Sequence, residues 1–221
     1  MSAVAEVKAA NPRAEVPKTK QRILEATAEL FRRYGYNGTG LKQIVAAARA
    51  PFGSIYHFFP GGKQELGAAV VRRSGQMYEE LVVGMLASDP DPVSSVQAAF
   101  AGAATVLEAT DYIDACPIAT VALEVASNDE TLRLATADVF GSWISTGASL
   151  FTEMGVDADQ AEQVTVVVIE LLEGAFVLSR AMRSTAPLDA AGTAAAAIVK
   201  AALVNPPLES ARPANSEGGS P

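Results

Sequence analysis

The 221-residue chain has one cysteine, one histidine and one tryptophan. A single cysteine excludes an internal disulfide and fits a reducing compartment, the cytoplasm. One histidine with one cysteine leaves too few ligands for a zinc site built by the chain alone. Neither G-x-S-x-G nor H-E-x-x-H occurs, and His57 has no acidic partner near it in sequence, so the constellations of common hydrolases are missing. We expect no enzyme activity, no cofactor and no metal. A phosphate loop is excluded too: Gly62-Lys63 is followed by Gln64, and His57 stands where the first glycine of the motif belongs. No run of 18 or more apolar residues occurs, so no membrane span is expected. Lys8 and Arg13 precede no apolar segment of the kind a secretory signal needs.

Basic residues are also scarce, 17 against 25 acidic ones, for a net charge of −8. The deficit is uneven. Residues 1–63 hold 10 Lys and Arg against 4 Asp and Glu, a net charge of +6, and residues 64–221 hold 7 against 21, a net charge of −14. An acidic protein can thus carry a basic front end, and the local field is what a polyanion meets. A solvated basic tail would give the same count, so charge alone does not decide.

What the chain has in plenty is apolar and helix-forming residues: 49% are hydrophobic, with alanine runs such as Ala194 to Ala197. Residues 1–17 read as a disordered arm, and 205–221, with four prolines and Gly218-Gly219, as a disordered tail. About nine helices lie between them, an all-α fold. The first spans about 18–34, with Ile23, Ala26, Leu30 and Tyr34 at helical spacing and Gly35 as its stop. Short helices follow at about 40–48 and 51–58, then a long one from about Lys63. Asp91-Pro92 reads as an N-cap and first-turn proline. Further helices begin at Pro117, at about 129 and, behind Asp157-x-x-Gln160, at about 158, and the last runs over about 188–204. The β-branched start of "VTVVVIELLEGAFVL" (164–178) also suits a strand. Helix is preferred, because no partner strand is in sight and the apolar pattern outruns a strand's length.

The most informative stretch is "TGLKQIVAAARAPFGSIYHFF", residues 39–59. Ile44, Val45 and Ala48 give its first helix a small apolar face, and Arg49-Ala50-Pro51 make a tight connection. Phe52, Ile55 and Phe59 then recur at i, i+3 and i+7 as a buried face, leaving Gly53, Ser54, Tyr56 and His57 on the other side. This is a helix-turn-helix pattern, whose second helix presents small and hydrogen-bonding residues outward.

Residues 18–68 resemble the N-terminal DNA-binding region of the TetR family of bacterial transcription regulators. Ile23, Ala26, Leu30, Phe31, Gly35, Tyr36, Thr39, Lys42, Ile44, Ala47, Gly53, Ser54, Ile55, Tyr56, Phe58, Phe59, Lys63 and Leu66 carry the likeness. The longer link Pro60-Gly61-Gly62, with "CPIATVALE" at 116–124, is similar to the LmrA/YxaF-like branch. Two positions depart from the pattern. Arg49 stands where the family often has a turn glycine, and Phe52 where a polar or basic residue is common. Periodicity puts Phe52 in the core, and facing a thymine methyl is the alternative. The resemblance implies that the second helix lies in the major groove, with phosphate contacts from Thr39, Tyr56 and Lys63. Lys42 and Ser54 would contact bases, Gly53 would give access, and His57 would be a polar group on the DNA side. From its chemistry, Arg49 would sit at the groove edge, and Lys18 and Lys20 could reach phosphates.

The same resemblance makes 69–204 a ligand-binding and dimerisation domain following a DNA-binding domain at 18–68. The chain would be a homodimeric repressor, released by a small-molecule effector from a palindromic operator of double-stranded DNA. The helix at 158–183 is apolar nearly all round between Val164 and Leu178, with Glu170 and Glu173 its charges there, and so needs cover on every side; with the alanine-rich 188–204 it would form the dimer interface. Met77, Phe100, Tyr112, Trp143, Phe176 and Met182 are large enough to line a cavity, and equally suit a core. Glu170 and Glu173 would face a cationic effector or a solvated interface edge. Cys116 reads as a small buried residue rather than a redox sensor. The competing class is a helical ligand-binding or interaction module without specific DNA reading, supported by Arg49 and Phe52.

Overall fold

The computed structural model describes residues 18–87, 89–114 and 116–204. The arm and the tail expected at 1–17 and 205–221 lie outside the described residues. Among those described there are nine helices: α1 (Lys18–Tyr34), α2 (Leu41–Ala47), α3 (Gly53–Phe58), α4 (Gly62–Leu86), α5 (Pro92–Ala109), α6 (Pro117–Val125), α7 (Glu130–Glu153), α8 (Ala158–Met182) and α9 (Ala186–Val204). The fold class expected from the sequence is the one observed, and the ambiguous 164–178 lies wholly inside α8.

The helix ends follow local chemistry. Gly35 ends α1 at φ 71, with its N–H donating to the Phe31 carbonyl at 2.9 Å. Asp91 accepts from the Ser94 N–H at 3.0 Å to start α5, with Pro92 in the first turn. Asp129 caps α7 through the Leu132 N–H at 3.0 Å, and Asp157 caps α8 through that of Asp159 at 2.9 Å. The Cys116 Sγ accepts from the Ala119 N–H at 3.4 Å at the start of α6.

Two apolar cores hold the helices, and their border does not follow the sequence division at 68. The first core joins Ile23, Ile44, Ile55, Phe59 and Leu66 of the leading helices to Ile118, Val121, Leu132, Ala135 and Val139 of α6 and α7. The second gathers Leu86, Phe100, Leu107, Phe151, Val164, Leu188 and Val199 from the ends of α4 and α7 with α5, α8 and α9. The interior of the helix-turn-helix thus continues through α1 and α4 into that of α6 and the first half of α7. Between Ala186 and Leu203, α9 is long and apolar enough to cross a membrane by composition. It carries Asp189 and Lys200, and buries Leu188, Ala195 and Val199 in the second core.

Helix α4 passes from one core to the other and crosses α7 closely at Gly75. A Cβ on Gly75 would meet both methyls of Val139, Cγ2 at 2.6 Å, so no rotamer of Val139 makes room. The Gly75 carbonyl accepts from Trp143 Nε1 at 2.9 Å across the same crossing. Gly84, further along α4, has nothing within 4 Å of its Cβ position. Gly84→Ala is expected to raise the unfolding free energy by about 0.5–1 kcal/mol through helix propensity. Gly75→Ala is expected to lower it by about 1–3 kcal/mol, because overpacking outweighs that gain. Urea denaturation of both variants checks the opposite signs.

Candidate nucleic-acid interface

Helix α3 is anchored from beneath by Ile55, fully buried, and by Phe59 at its end, 2% exposed. Its outer side carries Gly53, Tyr56 and His57, all exposed, with Ser54 half-buried. Among the described residues, nothing beyond its own neighbours and helix backbone comes within 4 Å of a Cβ on Gly53, so the fold does not require glycine there. Tyr56 is 51% exposed, and its ring edge lies 3.3 Å from a Cβ placed on Gly62. His57 sets its ring edge-on to Phe58, with centroids 4.7 Å apart.

The turn before α3 is strained. Arg49 adopts φ 48, the left-handed region that favours glycine, and its side chain stays exposed. The turn is held from behind by Arg22, whose Nε donates to the Ala48 carbonyl at 3.0 Å. Exposed Lys42 stands on α2, and exposed Lys18 opens α1. The bracing by Arg22 had no signal in the sequence beyond its helix register.

Two expectations about this face need correction. Thr39 is 1% exposed and donates its hydroxyl to the Gly35 carbonyl at 2.8 Å, so it is committed inward and cannot reach a phosphate. Phe52 is not in the core: at the N-cap of α3 it is 45% exposed. A first-turn side chain leans back past the helix start, where no preceding turn covers it. Half-buried Lys63 holds its ammonium over the Tyr36 ring, 4.2 Å from the centroid. Burial lowers its pKa, opposed by the nearby Glu124 carboxylate. Lys20 is similarly turned to the Phe59 ring, at 5.3 Å.

The start of α4 and the exit of α1 are fastened to the body by carboxylates. Glu65 accepts from the Gly61 N–H at 2.7 Å, and Asp129 of α7 accepts from Gln64 at 2.9 Å. Glu124 of α6 accepts from the Asn37 N–H at 2.7 Å and covers Gly35, where any Cβ would strike it.

Comparison with known proteins agrees with this arrangement. Residues 23–70 match the family model of bacterial regulatory proteins of the tetR family. Residues 92–194 match the C-terminal domain of LmrA/YxaF-like transcriptional regulators. The HTH-type transcriptional regulator YxaF of Bacillus subtilis is 34% identical over 170 residues, 77% of this chain and 89% of that protein. The chain belongs to the TetR family. Within its LmrA/YxaF-like branch, LmrA of Bacillus subtilis is 29% identical, over 77% of this chain and 90% of that protein. The crystal structure of a TetR regulatory protein from Rhodobacter sphaeroides superposes with a TM-score of 0.73 at 21% identity, covering 82% of this chain and 99% of that one. As a TetR-family member the chain is a DNA-binding transcriptional regulator; its relatives are regulators and not enzymes.

In this TetR-family body the residues singled out as ligand-lining do not converge. Met77 and Met182 are 54% and 63% exposed, and Glu170 is exposed as well, so all three face away from any interior. Phe100 is ordinary core, 3% exposed, with its Cβ 2.8 Å from where a Cβ on Gly192 would stand. Trp143 is half-buried and committed to the Gly75 carbonyl. Tyr112 lies in the α5–α6 loop at φ 59, its carbonyl accepting from Arg180 Nε at 3.3 Å. Phe176 packs at the edge of the second core. Two open grooves of about 530 and 680 Å³ lie along α7, and none of the eight residues considered for a ligand site lines either of them. Hydrophobic size cannot tell a lining residue from a core one on helices that are apolar on several sides.

Glu173 is the exception, a carboxyl pushed up in pKa by burial. It sits beside Cys116, whose thiol hydrogen bonds to it and is itself pushed well up, first by burial and then by the Glu173 charge. Cys116 is therefore a protonated, buried helix cap, as expected from the sequence, and a poor nucleophile. Tyr78 nearby is raised by burial, with Arg32 opposing. Arg32 itself pairs with Asp114 at 3.6 Å, while its buried Nε has no hydrogen-bond partner.

A carboxyl whose folded pKa exceeds its unfolded value binds more protons folded than unfolded. The stability it contributes is full below the ordinary value of 4.5 and is lost as pH rises through the raised value. Glu173→Gln is expected to melt at a higher temperature than wild type at pH 8. The gap should close toward pH 4.5, as read by thermal denaturation at both pH values.

Proposed function

We propose that the chain is a homodimeric repressor whose two α3 helices read the halves of a palindromic operator, and that a small-molecule effector releases it. The observation that carries this is α3 itself. It has a fully buried anchor beneath, a small and polar face outside, and a glycine that nothing in the fold requires. Lys42 and Arg49 stand exposed on the same helix-turn-helix, at the basic end of an otherwise acidic chain. On this reading Lys42 and Ser54 contact bases through the access Gly53 gives, Tyr56 and Arg49 contact phosphates, and His57 lies on the DNA side. Residues 18–68 read the operator, and 69–204 dimerise and bind the effector. Repression is supported by relatives named as repressors, among them DhaR of a Mycobacterium, 25% identical over 77% of this chain. A repressor acts where the chromosome is, in the cytoplasm.

The dimer reading rests on an uncovered face. Val177, Leu178 and Met182 of α8 are 58%, 54% and 63% exposed. Beside them on α9, Ala186, Ala190, Ala194, Ala197 and Ala201 form an exposed stripe smooth enough for close helix approach. A second copy covering both gives the two-fold arrangement that two half-sites need. The effector would act near Glu173, a half-buried carboxyl beside Cys116 whose charge, with those of Arg32 and Asp114, is felt by the Tyr78 hydroxyl. Binding there would favour a dimer with a different separation of its α3 helices, and operator affinity would fall.

In a mobility-shift assay the protein should bind duplex DNA from upstream of its own gene, with affinity falling steeply as salt rises. Lys42→Ala should cost about 1–3 kcal/mol of discrimination between operator and random duplex, whereas Tyr56→Phe should weaken both about equally. Salt-insensitive binding, or no preference for any sequence, sinks the proposal. Leu178→Asp should convert dimers to monomers in sedimentation equilibrium by burying a charge in the interface. A variant that stays dimeric would move the interface elsewhere.

A further inference from the structure

Phe52 is the largest apolar side chain that α3 leaves in water, and the fold gives no reason for it. The ring is 45% exposed, while the burial α3 needs is supplied by Ile55 and Phe59. Its described ring neighbour is Tyr56, four residues on, with centroids 6.1 Å apart and a tilted geometry. Gly53 lies between them in sequence with open space at its Cβ position. Phe52, Gly53 and Tyr56 thus present two exposed rings on either side of a position with no side chain, at the leading end of the helix.

Leading residues of a recognition helix are those that meet base edges in the major groove. A phenyl ring brings no donor or acceptor there. Over guanine or cytosine it would strip water from polar edge atoms and leave them unpaired, which is unfavourable. The thymine C5-methyl is the apolar group on the major-groove edges of the four bases, and ring-to-methyl contact is favourable. From this geometry we infer that Phe52 is a specificity-determining residue that packs on a thymine C5-methyl in each operator half-site. The inference rests on the reading of α3 given under Proposed function. It adds what that reading leaves out, an apolar requirement at one base position, with Tyr56 steadying the ring.

The test separates the two levels. The full-length dimer first selects its operator from a randomised duplex pool, and the enriched half-site should contain a fixed thymine. That thymine is then replaced by uracil, which removes the methyl and leaves every hydrogen-bonding edge unchanged. Loss of one buried methyl per half-site should weaken wild-type binding by about fourfold per half-site, roughly fifteenfold for the pair. Phe52→Ala should lose affinity for the thymine operator by at least as much and show no difference between thymine and uracil. Phe52→Leu, still apolar, should retain part of the preference. Circular dichroism of the variants confirms their fold, which an exposed residue should not disturb. Equal wild-type affinity for the thymine and uracil operators overturns the inference while leaving the DNA-reading proposal standing. So does a Phe52→Ala variant that still distinguishes the two. Failure of the wild type to enrich any sequence overturns both.

Discussion

The crossing of α4 and α7 at Gly75 is the constraint on which the remaining geometry depends. The two longest elements of the front half approach so closely there that Val139 occupies the space of a side chain. Trp143 fixes the rotation of one helix against the other by donating to a backbone carbonyl. With the crossing fixed, the leading turns of α4 present Leu66, Val70 and Val71 to one core, and its last turn presents Leu86 to the other. One rod therefore sets the position of the DNA-facing helices relative to α8 and α9.

Charge is distributed along that rod in a way its net value conceals. The TetR-type reading head displays Lys42 and Arg49, but turns Lys20 and Lys63 onto aromatic faces. The acidic body reaches forward with Glu124 and Asp129, which accept hydrogen bonds from Asn37 and Gln64. The attraction between halves of opposite sign is thus realised as a few directed hydrogen bonds at the seam. On the far side of the seam, Arg183 pairs with Asp111 and Arg180 holds the Tyr112 carbonyl, at two consecutive residues in left-handed conformation. The loop leading into α6 is therefore tied to α8 at one end and, through Asp114 and Arg32, to α1 at the other.

Much of this was legible in the sequence, because local chemistry sets it. Apolar spacing gave the nine helices, Asp91-Pro92 and Gly35 gave ends, and the 39–59 pattern gave the helix-turn-helix. The failures have separate causes. Periodicity assigns a face by assuming a full turn on either side, and Phe52 at the start of a six-residue helix has none before it. Thr39 was misread because its hydroxyl satisfies a carbonyl four residues back, a local bond that competes with any external partner. Periodicity left open whether Phe100 lined a cavity or the core and whether Glu170 faced an effector or solvent, because which side of an apolar helix meets solvent is decided by its neighbours. The Gly75 crossing left no trace except an unremarked glycine.

The shared core has a consequence for how such a regulator can change over time. Helix α1 packs on α4 and α6, whose core residues continue to Ile118, Val121 and Leu132, and the exit of α1 is covered by a carboxylate from α6. Operator preference is therefore not a detachable cartridge. A reading head exchanged between relatives at the end of α3 would lose the counterpart of its own interior. A recombination joint that keeps this packing would carry α6 along with it. On the solvent face of α3, by contrast, the exposed Phe52, Gly53 and Tyr56 can be replaced singly without disturbing the anchor beneath.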